Sequence, residues 1–303
     1  MQWRPFGNIP AKRLRIALAK RRFARMPVRI VQSKQNTRLK ELRRTLAQPS
    51  RDGGGLVGIE GPNLLAEALR ANLRISTVFV ASGHEDLLDE LDLPTDIEIL
   101  QLPKGLLDSA LTTEAPQSIA ALVYPPAWTW ADLLSDRKKA APLIVLLAGL
   151  QDPGNLGTII RSAEAFGATG IVSLPGTVSA WNPKAVRASA GSIFRLPSLT
   201  ATEADALAHL RAAGVSILAT AAIAGQAVAR ANLTGPVALI IGNEGNGVAP
   251  DLAAQADAAI TIPCPGPVES LNAAVAASVL LYEASQQRTK ESGAQKNHRG
   301  AQS

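Results

Sequence analysis

The sequence holds one cysteine, Cys264, among 303 residues. It can form no internal disulfide and no cysteine-cluster metal site, and this usage agrees with a cytosolic setting. Histidines are also few: His84, His209 and His298 are scattered, with no ligand spacing among them. No metal is therefore expected. Aromatic residues make up only 4% of the chain against 47% apolar residues, so a large core must be aliphatic and rich in alanine. No apolar run reaches the roughly 18 residues a membrane helix needs, and the run from Ala141 to Leu150 is far too short. No membrane partner is expected. Two familiar motifs are missing as well. No G-x-x-x-x-G-K-[ST] occurs, which disfavours a Walker NTPase, and no G-x-S-x-G occurs, which disfavours a serine hydrolase.

Acidic residues are nearly absent from the start of the chain. Residues 1–44 carry 14 Lys or Arg and one acid, Glu41, a net +13. The remainder carries 17 basic and 24 acidic residues, a net −7. A basic arm on an acidic body points to a polyanion, and phosphate backbones are the commonest one. Arg38, Lys40, Arg43 and Arg44 are the candidate contacts within a helix expected over Asn36–Ala47. The Arg-rich start also resembles an organellar transit peptide, which stands beside the cytoplasmic expectation. Its alternative reading is a solvated tail.

The length suggests two domains at about 150 residues each. A basic extension covers residues 1–28 and a compact α/β domain 29–125. A connection with Pro125, Pro126, Trp128, Trp130 and a charged run covers 126–140. The tryptophans read as packing residues rather than base-stacking ones. A second domain spans 141–288 and a polar, disordered tail 289–303.

The second domain opens with Leu143 to Ala148, an apolar run bounded by Pro142 and Gly149. It reads as a strand buried on both faces, as in a parallel sheet. A loop and a helix follow, with Leu156, Ile159, Ile160, Ala163 and Phe166 at helical spacing and Arg161 off that stripe. Further strands are expected at Gly170–Leu174, Val215–Ala221, Pro236–Ile241 and Ala259–Pro263, with helices at Pro183–Phe194, Glu203–Ala213 and Ser270 to about Gln287. Strands alternating with helices make a mostly parallel, covered sheet.

Three loops leave the carboxyl ends of three of these strands, where open α/β sheets bind ligands. They are Asp152-Pro153-Gly154-Asn155, the G-N-E-G-N-G run from Gly242 to Gly247, and the run from Pro263 to Asn272. If the strands are neighbours, the loops converge on one crevice rich in backbone amides, suited to a nucleotide-like ligand. Each residue also has a plainer reading. Asn155 and Ser270 read as helix caps, Glu244, Arg161 and Asn272 as solvated polar groups, and Cys264 as buried packing.

Together these stretches resemble a known family. N-L-G-T-I-I-R-S-A-E-A-F-G at 155–167, I-I-G-N-E-G-N-G-V at 240–248 and I-P-C-P-G-P-V-E-S-L-N-A-A-V-A at 262–276 are similar to the three motifs of the SpoU/TrmH branch of SPOUT RNA methyltransferases. R-A-S-A-G-S-I-F-R-L-P within 182–197 resembles its connecting segment. Residues of about 30–125 resemble its amino-terminal substrate-binding domain, of ribosomal-protein L30e-like fold, through N-T-R-L-K at 36–40, G-I-E-G at 58–61 and T-E-A-P-Q-S-I-A-A at 113–121.

The resemblance implies S-adenosylmethionine-dependent methylation of a ribose 2′-hydroxyl in RNA. It implies a catalytic α/β domain with a mostly parallel sheet and a deep trefoil knot, and a homodimer. It implies that Asn155, Arg161, Glu244, Ser270 and Asn272 are the catalytic set. Cofactor contacts fall on Ala219, Thr220, Ala221, Gly242, Asn243, Gly247, Ile262, Pro263 and Leu271. Arg161 is the family's usual candidate for the base. Guanidinium groups hold their proton at any ordinary pH and are poor bases, so a phosphate-holding role is favoured. Ribosomal RNA of the 23S type is the expected substrate because the first domain is separate and fairly large. Transfer RNA and a catalytically silent RNA-binding protein of the same fold are the other readings, and the intact polar set argues against the latter.

Overall fold

A computed structural model describes residues 28–50, 55–135, 141–223, 225–268 and 270–300. Residues 1–27 of the basic extension, two of the glycines at 53–54, the charged run at 136–140 and Glu269 lie outside the described residues. The chain divides into two compact units, residues 1–125 and 126–303.

The first unit contains β1 (Val28–Ile30), α1 (Thr37–Ala47), β2 (Val57–Glu60), α2 (Pro62–Arg70), β3 (Ile75–Ala81), α3 (Asp86–Asp89), β4 (Glu98–Leu102), α4 (Lys104–Asp108) and β5 (Ile119–Val123). The sheet order is β1-β4-β3-β5-β2, with β5 antiparallel to both of its neighbours. Asn36 caps α1 by accepting from the Leu39 N–H at 3.1 Å, a standard satisfaction of an orphan donor. The helix buries Leu39, Leu42 and Leu46 against Phe79, Leu100 and Leu122. β1 and α4 carry no periodic signal in the sequence. Runs of three and five residues are too short to establish a period.

The second unit contains α5 (Trp130–Leu134), β6 (Leu143–Leu147), α6 (Pro153–Ala165), β7 (Gly170–Ser173), α7 (Pro183–Ala188), β8 (Ser198–Thr200), α8 (Glu203–Ala212), β9 (Ser216–Thr220), β10 (Gln226–Ala227), β11 (Val237–Ile241), α9 (Pro250–Ala253), β12 (Ala258–Thr261) and α10 (Ala273–Gly300). The sheet order is β10-β12-β9-β11-β6-β7-β8 and every pairing is parallel. β6 and β11 are buried at every residue, which is why both read as unbroken apolar runs. From β6 the chain moves outward to β7 and β8, then returns to build the other half of the sheet. β11 is inserted between β6 and β9.

Four expectations are corrected here. The helix expected over 183–194 stops at Ala188, because Ala190 has a left-handed φ of 49° and a separate 3₁₀ turn follows at Ser192–Phe194. The segment expected as connection contains α5, whose Thr129 and Asp132 form a capping box. Its Trp130 stacks on His209 of α8, with ring centroids 4.6 Å apart. The last helix runs to Gly300, well past the stop expected near Gln287. Finally, Arg38 is not a free cation. It lies 3.0 Å from Glu41 and 3.3 Å from Glu98. Arg43 is within 3.4 Å of the Ser109 hydroxyl, and Lys40 and Arg44 are exposed.

Arg288 explains why α10 is held at its far half. Its guanidinium donates to the carbonyls of Leu233 (2.8 Å), Gly235 (2.6 Å) and Pro142 (3.1 Å), and also to that of Ala141. These carbonyls precede β11 and β6, so one fork ties the helix to the starts of the two central strands. Partial burial pulls the guanidinium pKa down from its ordinary value. Charged donors to carbonyls contribute about 1.5–3 kcal/mol in such places. Replacing Arg288 by Met is expected to lower stability by about 2–3 kcal/mol. Urea unfolding followed by circular dichroism measures it; an unchanged midpoint would refute the clamp.

Candidate active site

The neighbours β12, β9, β11 and β6 run in one direction, so their carboxyl ends share an edge. The chain reverses its direction of progress across the sheet between β6 and β11. Such a switch point is where open α/β sheets leave a crevice. The loops after β6, β11 and β12 meet there through side chains.

Asn155 is the hub. Its Nδ2 donates to Glu244 Oε1 at 3.1 Å, and its Oδ1 accepts from Asn272 Nδ2 at 3.1 Å. Glu244 also accepts from the backbone N–H groups of Asp152 (3.0 Å) and Gln151 (3.2 Å). Burial alone would raise the Glu244 pKa; the Asn155 amide and the loop N–H groups outweigh that and hold it below the ordinary 4.5. Asn272 Oδ1 in turn accepts from the N–H groups of Ala274 (2.9 Å) and Val275 (3.3 Å). It therefore caps α10.

The caps differ from expectation. Asp152, not Asn155, caps α6, accepting from the Asn155 N–H at 2.7 Å with Pro153 at the first helical position. The Asn155 bond and Lys184, 3.0 Å away, keep the Asp152 carboxyl below its ordinary value. Asp-Pro ahead of an apolar helical pattern is the signal that identifies this cap. Asn272, not Ser270, caps α10, which leaves the exposed Ser270 hydroxyl without a partner among the described residues. Cys264 is exposed rather than buried, as are its loop neighbours from Pro263 to Val268.

The other expected residues divide into two groups. Asn243 is committed to the fold of its own loop: its Nδ2 donates to Gly149 O at 2.8 Å, and its Oδ1 accepts from Gly245 N at 2.9 Å. Gly242 is required because a Cβ there would collide with the Gly247 backbone, where the loop turns back on itself. Ala219 is buried within β9, the Thr220 hydroxyl donates to Ile240 O at 2.8 Å, and the Ala221 N–H donates to Ile260 O at 2.9 Å. These groups hold strands and loops together. Ile262 and Leu271 are half-buried and Pro263 is exposed at the loop after β12. Among the described residues, the N–H groups of Cys264, Gly266 and Val268 have no hydrogen-bond partner. Arg161 lies on the exposed side of α6 and makes no hydrogen bond or ion pair among the described residues.

Two contacts had no sequence signal. Ser162 of α6 meets Ser278 of α10 with hydroxyls 2.8 Å apart, continuing the line begun by Asn155 and Asn272. Thr177 bridges the strand ends, donating to Leu147 O at 2.7 Å and accepting from the Gly149 N–H at 3.1 Å.

Comparison with known proteins bears on this arrangement. Residues 142–282 match the model of the SpoU rRNA Methylase family, and residues 36–121 that of the MRM3-like substrate binding domain. The Bacillus subtilis protein named 23S rRNA (guanosine(2553)-2′-O)-methyltransferase RlmP is 32% identical over 252 residues, spanning 83% of this chain and 97% of its own length. The chain belongs to the SpoU family of RNA methyltransferases. Solved SpoU-type structures share its architecture. AviRb from Streptomyces viridochromogenes, solved in complex with the cofactor AdoMet, superposes with a TM-score of 0.75 at 30% identity, covering 84% of this chain and 99% of that one. An AdoMet-bound rRNA methyltransferase from Sinorhizobium meliloti gives 0.74 at 30% identity, covering 86% and 98%. The α/β fold with its parallel sheet flanked by helices is thus that of the SpoU methyltransferases.

Because its folded pKa is depressed, Glu244 contributes stability that is complete above 4.5 and is lost as pH falls through the lower folded value. Glu244→Gln is expected to lower the thermal midpoint at pH 7, with the gap from the parent narrowing as pH falls below 4.5. Melting curves across that range measure it, and a gap independent of pH would sink the assignment.

Proposed function

We propose that this SpoU methyltransferase transfers the methyl group of S-adenosylmethionine to a ribose 2′-hydroxyl of RNA, and that 23S-type ribosomal RNA is its substrate. The observation that carries the reading is the junction of Glu244, Asn155 and Asn272, which joins three strand-end loops at one crevice. The relative RlmP is named for 2′-O methylation of 23S ribosomal RNA, and two structural neighbours were solved with AdoMet.

The site fits the cofactor. Its loop after β12 offers unpartnered backbone N–H groups at Cys264, Gly266 and Val268, and half-buried Ile262 and Leu271 give it apolar walls. Gly242, Ile262, Pro263 and Leu271 are assigned to hold it, largely through backbone groups. When bound, the sulfonium supplies an already activated methyl group. What remains for the chain is alignment, which supplies up to about 7–11 kcal/mol in favourable cases, and help with the hydroxyl proton. Arg161 holds an RNA phosphate and stabilises the developing alkoxide. A phosphate or water takes the proton. The Glu244–Asn155–Asn272 chain keeps α6, and with it Arg161, in register with the cofactor loops. Ser270, with its hydroxyl unclaimed, is the polar group available to the substrate ribose or its phosphate.

The reading includes the trefoil knot and a homodimer. The insertion of β11 between β6 and β9 supports the first. The second is supported by an uncovered stripe on α10: Val275, Val279 and Tyr282 are 50%, 38% and 51% exposed at spacings of four and three. Phe166 meets Tyr282 edge-on at 5.7 Å. A second copy of the chain is the proposed occupant.

Incubation with tritiated S-adenosylmethionine and unmodified ribosomal RNA is expected to label a single 2′-O position. Arg161→Ala is expected to keep cofactor affinity within about threefold while transfer falls at least a hundredfold. RNA binding without label in the parent protein supports the silent RNA-binding alternative, and undiminished turnover in the variant removes the role given to Arg161. Val279→Glu is expected to shift the sedimenting species from dimer to monomer, and a parent protein that sediments as a monomer contradicts the second copy.

A further inference from the structure

We propose that Arg187 is a second backbone grip on the RNA, holding the phosphodiester next to the one taken by Arg161. This rests on the reading above that the chain acts on RNA.

α6 and α7 lie against each other closely. A Cβ at Gly157 would collide with the Ala185 carbonyl, and one at Gly154 would stand 3.3 Å from Lys184 Cε. The contacts therefore run in step, Gly154 beside Lys184 and Gly157 beside Ala185 and Ala188, so the two helices point the same way. Glu164 then meets Arg195, which follows the 3₁₀ turn, with Nε and Nη2 at 2.7 and 2.9 Å from the carboxylate oxygens.

Two of the four cations along this seam are already neutralised. Lys184 is 3.0 Å from Asp152, and Arg195 is paired with Glu164. The other two, Arg161 and Arg187, are exposed and make no ion pair or side-chain hydrogen bond among the described residues. Helical spacing sets them on one side. Arg187 is one turn beyond Lys184 on α7, and Arg161 is two turns beyond Gly154 on α6. The seam thus leads from the Asp152–Asn155 corner of the active site to a pair of unspent guanidiniums.

The backbone around Arg187 is held as well. Its carbonyl accepts the Ala190 N–H at 3.1 Å, and Ala190, an exposed non-glycine residue, has a φ of 49°. Left-handed backbone at such a residue persists only where its surroundings impose it. Successive phosphodiesters of one strand match two planar forks, since the non-bridging oxygen pair of each accepts one guanidinium bidentately. Such contacts fix the register of a strand without reading its bases. Arg187 would thus place the target ribose along the strand while leaving base choice to other parts of the chain.

The test compares Arg187→Gln and Arg187→Lys with Arg230→Gln, an exposed cation lost elsewhere in the same unit. The readouts are equilibrium binding of in-vitro transcribed large-subunit ribosomal RNA over a salt series, and methyl transfer at saturating RNA. Arg187→Gln is expected to weaken binding about tenfold and to reduce the slope of log K against log salt by about 0.7–0.9. Its KM for S-adenosylmethionine should stay within about twofold of the parent, and Arg187→Lys should recover part of the affinity. Binding and slope equal to those of Arg230→Gln would overturn the inference. Failure of the parent to methylate any RNA would instead strike the functional reading, while the binding series would still decide whether Arg187 grips RNA.

Discussion

A single amide holds the proposed catalytic corner together. Asn155 donates to Glu244 and accepts from Asn272, so one side chain joins loops that follow three different strands. Only a group with both a donor and an acceptor on one planar end can do this; a carboxylate in its place would face Glu244 with like charge. The rest of the unit serves that corner. The parallel sheet brings the carboxyl ends of β6, β11, β9 and β12 to one edge, and the caps at Asp152 and Asn272 start two helices beside it. At the opposite edge Arg288 pins α10 to the beginnings of β6 and β11.

The distribution of spent and unspent polar groups separates scaffold from site. Asn243, Thr220, Asp152 and Lys184 are consumed in loop and cap bonds. Arg161, Ser270 and the amides after β12 retain unused hydrogen-bonding capacity among the described residues. A group already satisfied inside the fold gains little from a ligand, whereas an exposed group with unused donors can exchange water for one. The same distinction moves Arg38 from the RNA-facing set to a structural role, since Glu41 and Glu98 already neutralise it.

Long elements were legible from the chain alone. Leu143–Leu147 and Val237–Ile241 are apolar at every position and form the two central strands, because a residue covered on both faces must be apolar on both. α6 was legible from Leu156, Ile159, Ile160 and Ala163, all of which are buried. The misread places are short or locally strained. Ala190 carries no side-chain signal for a left-handed turn, so the helix expected to run through it ended early. The caps were misplaced by two or three residues because Asp152, Asn155, Ser270 and Asn272 are all acceptable cap residues, and only coordinates distinguish which oxygen faces the free N–H groups.

What the amino-acid order determined by itself was the alternation of strands and helices, the apolar faces, and three polar loops at strand ends. These are local properties, set by side-chain chemistry within a few residues. What only the tertiary structure decided was strand order: β11, late in the chain, is inserted between β6 and β9. That insertion brings Glu244 to Asn155 across 89 positions, and the packing of α10 on α6 brings Asn272 to Asn155 across 117. No local pattern encodes such a meeting, because the hydrogen bonds between buried strands are backbone bonds and look alike from every sequence. Side-chain packing selects among the possible neighbours, and it acts only once the chain is folded.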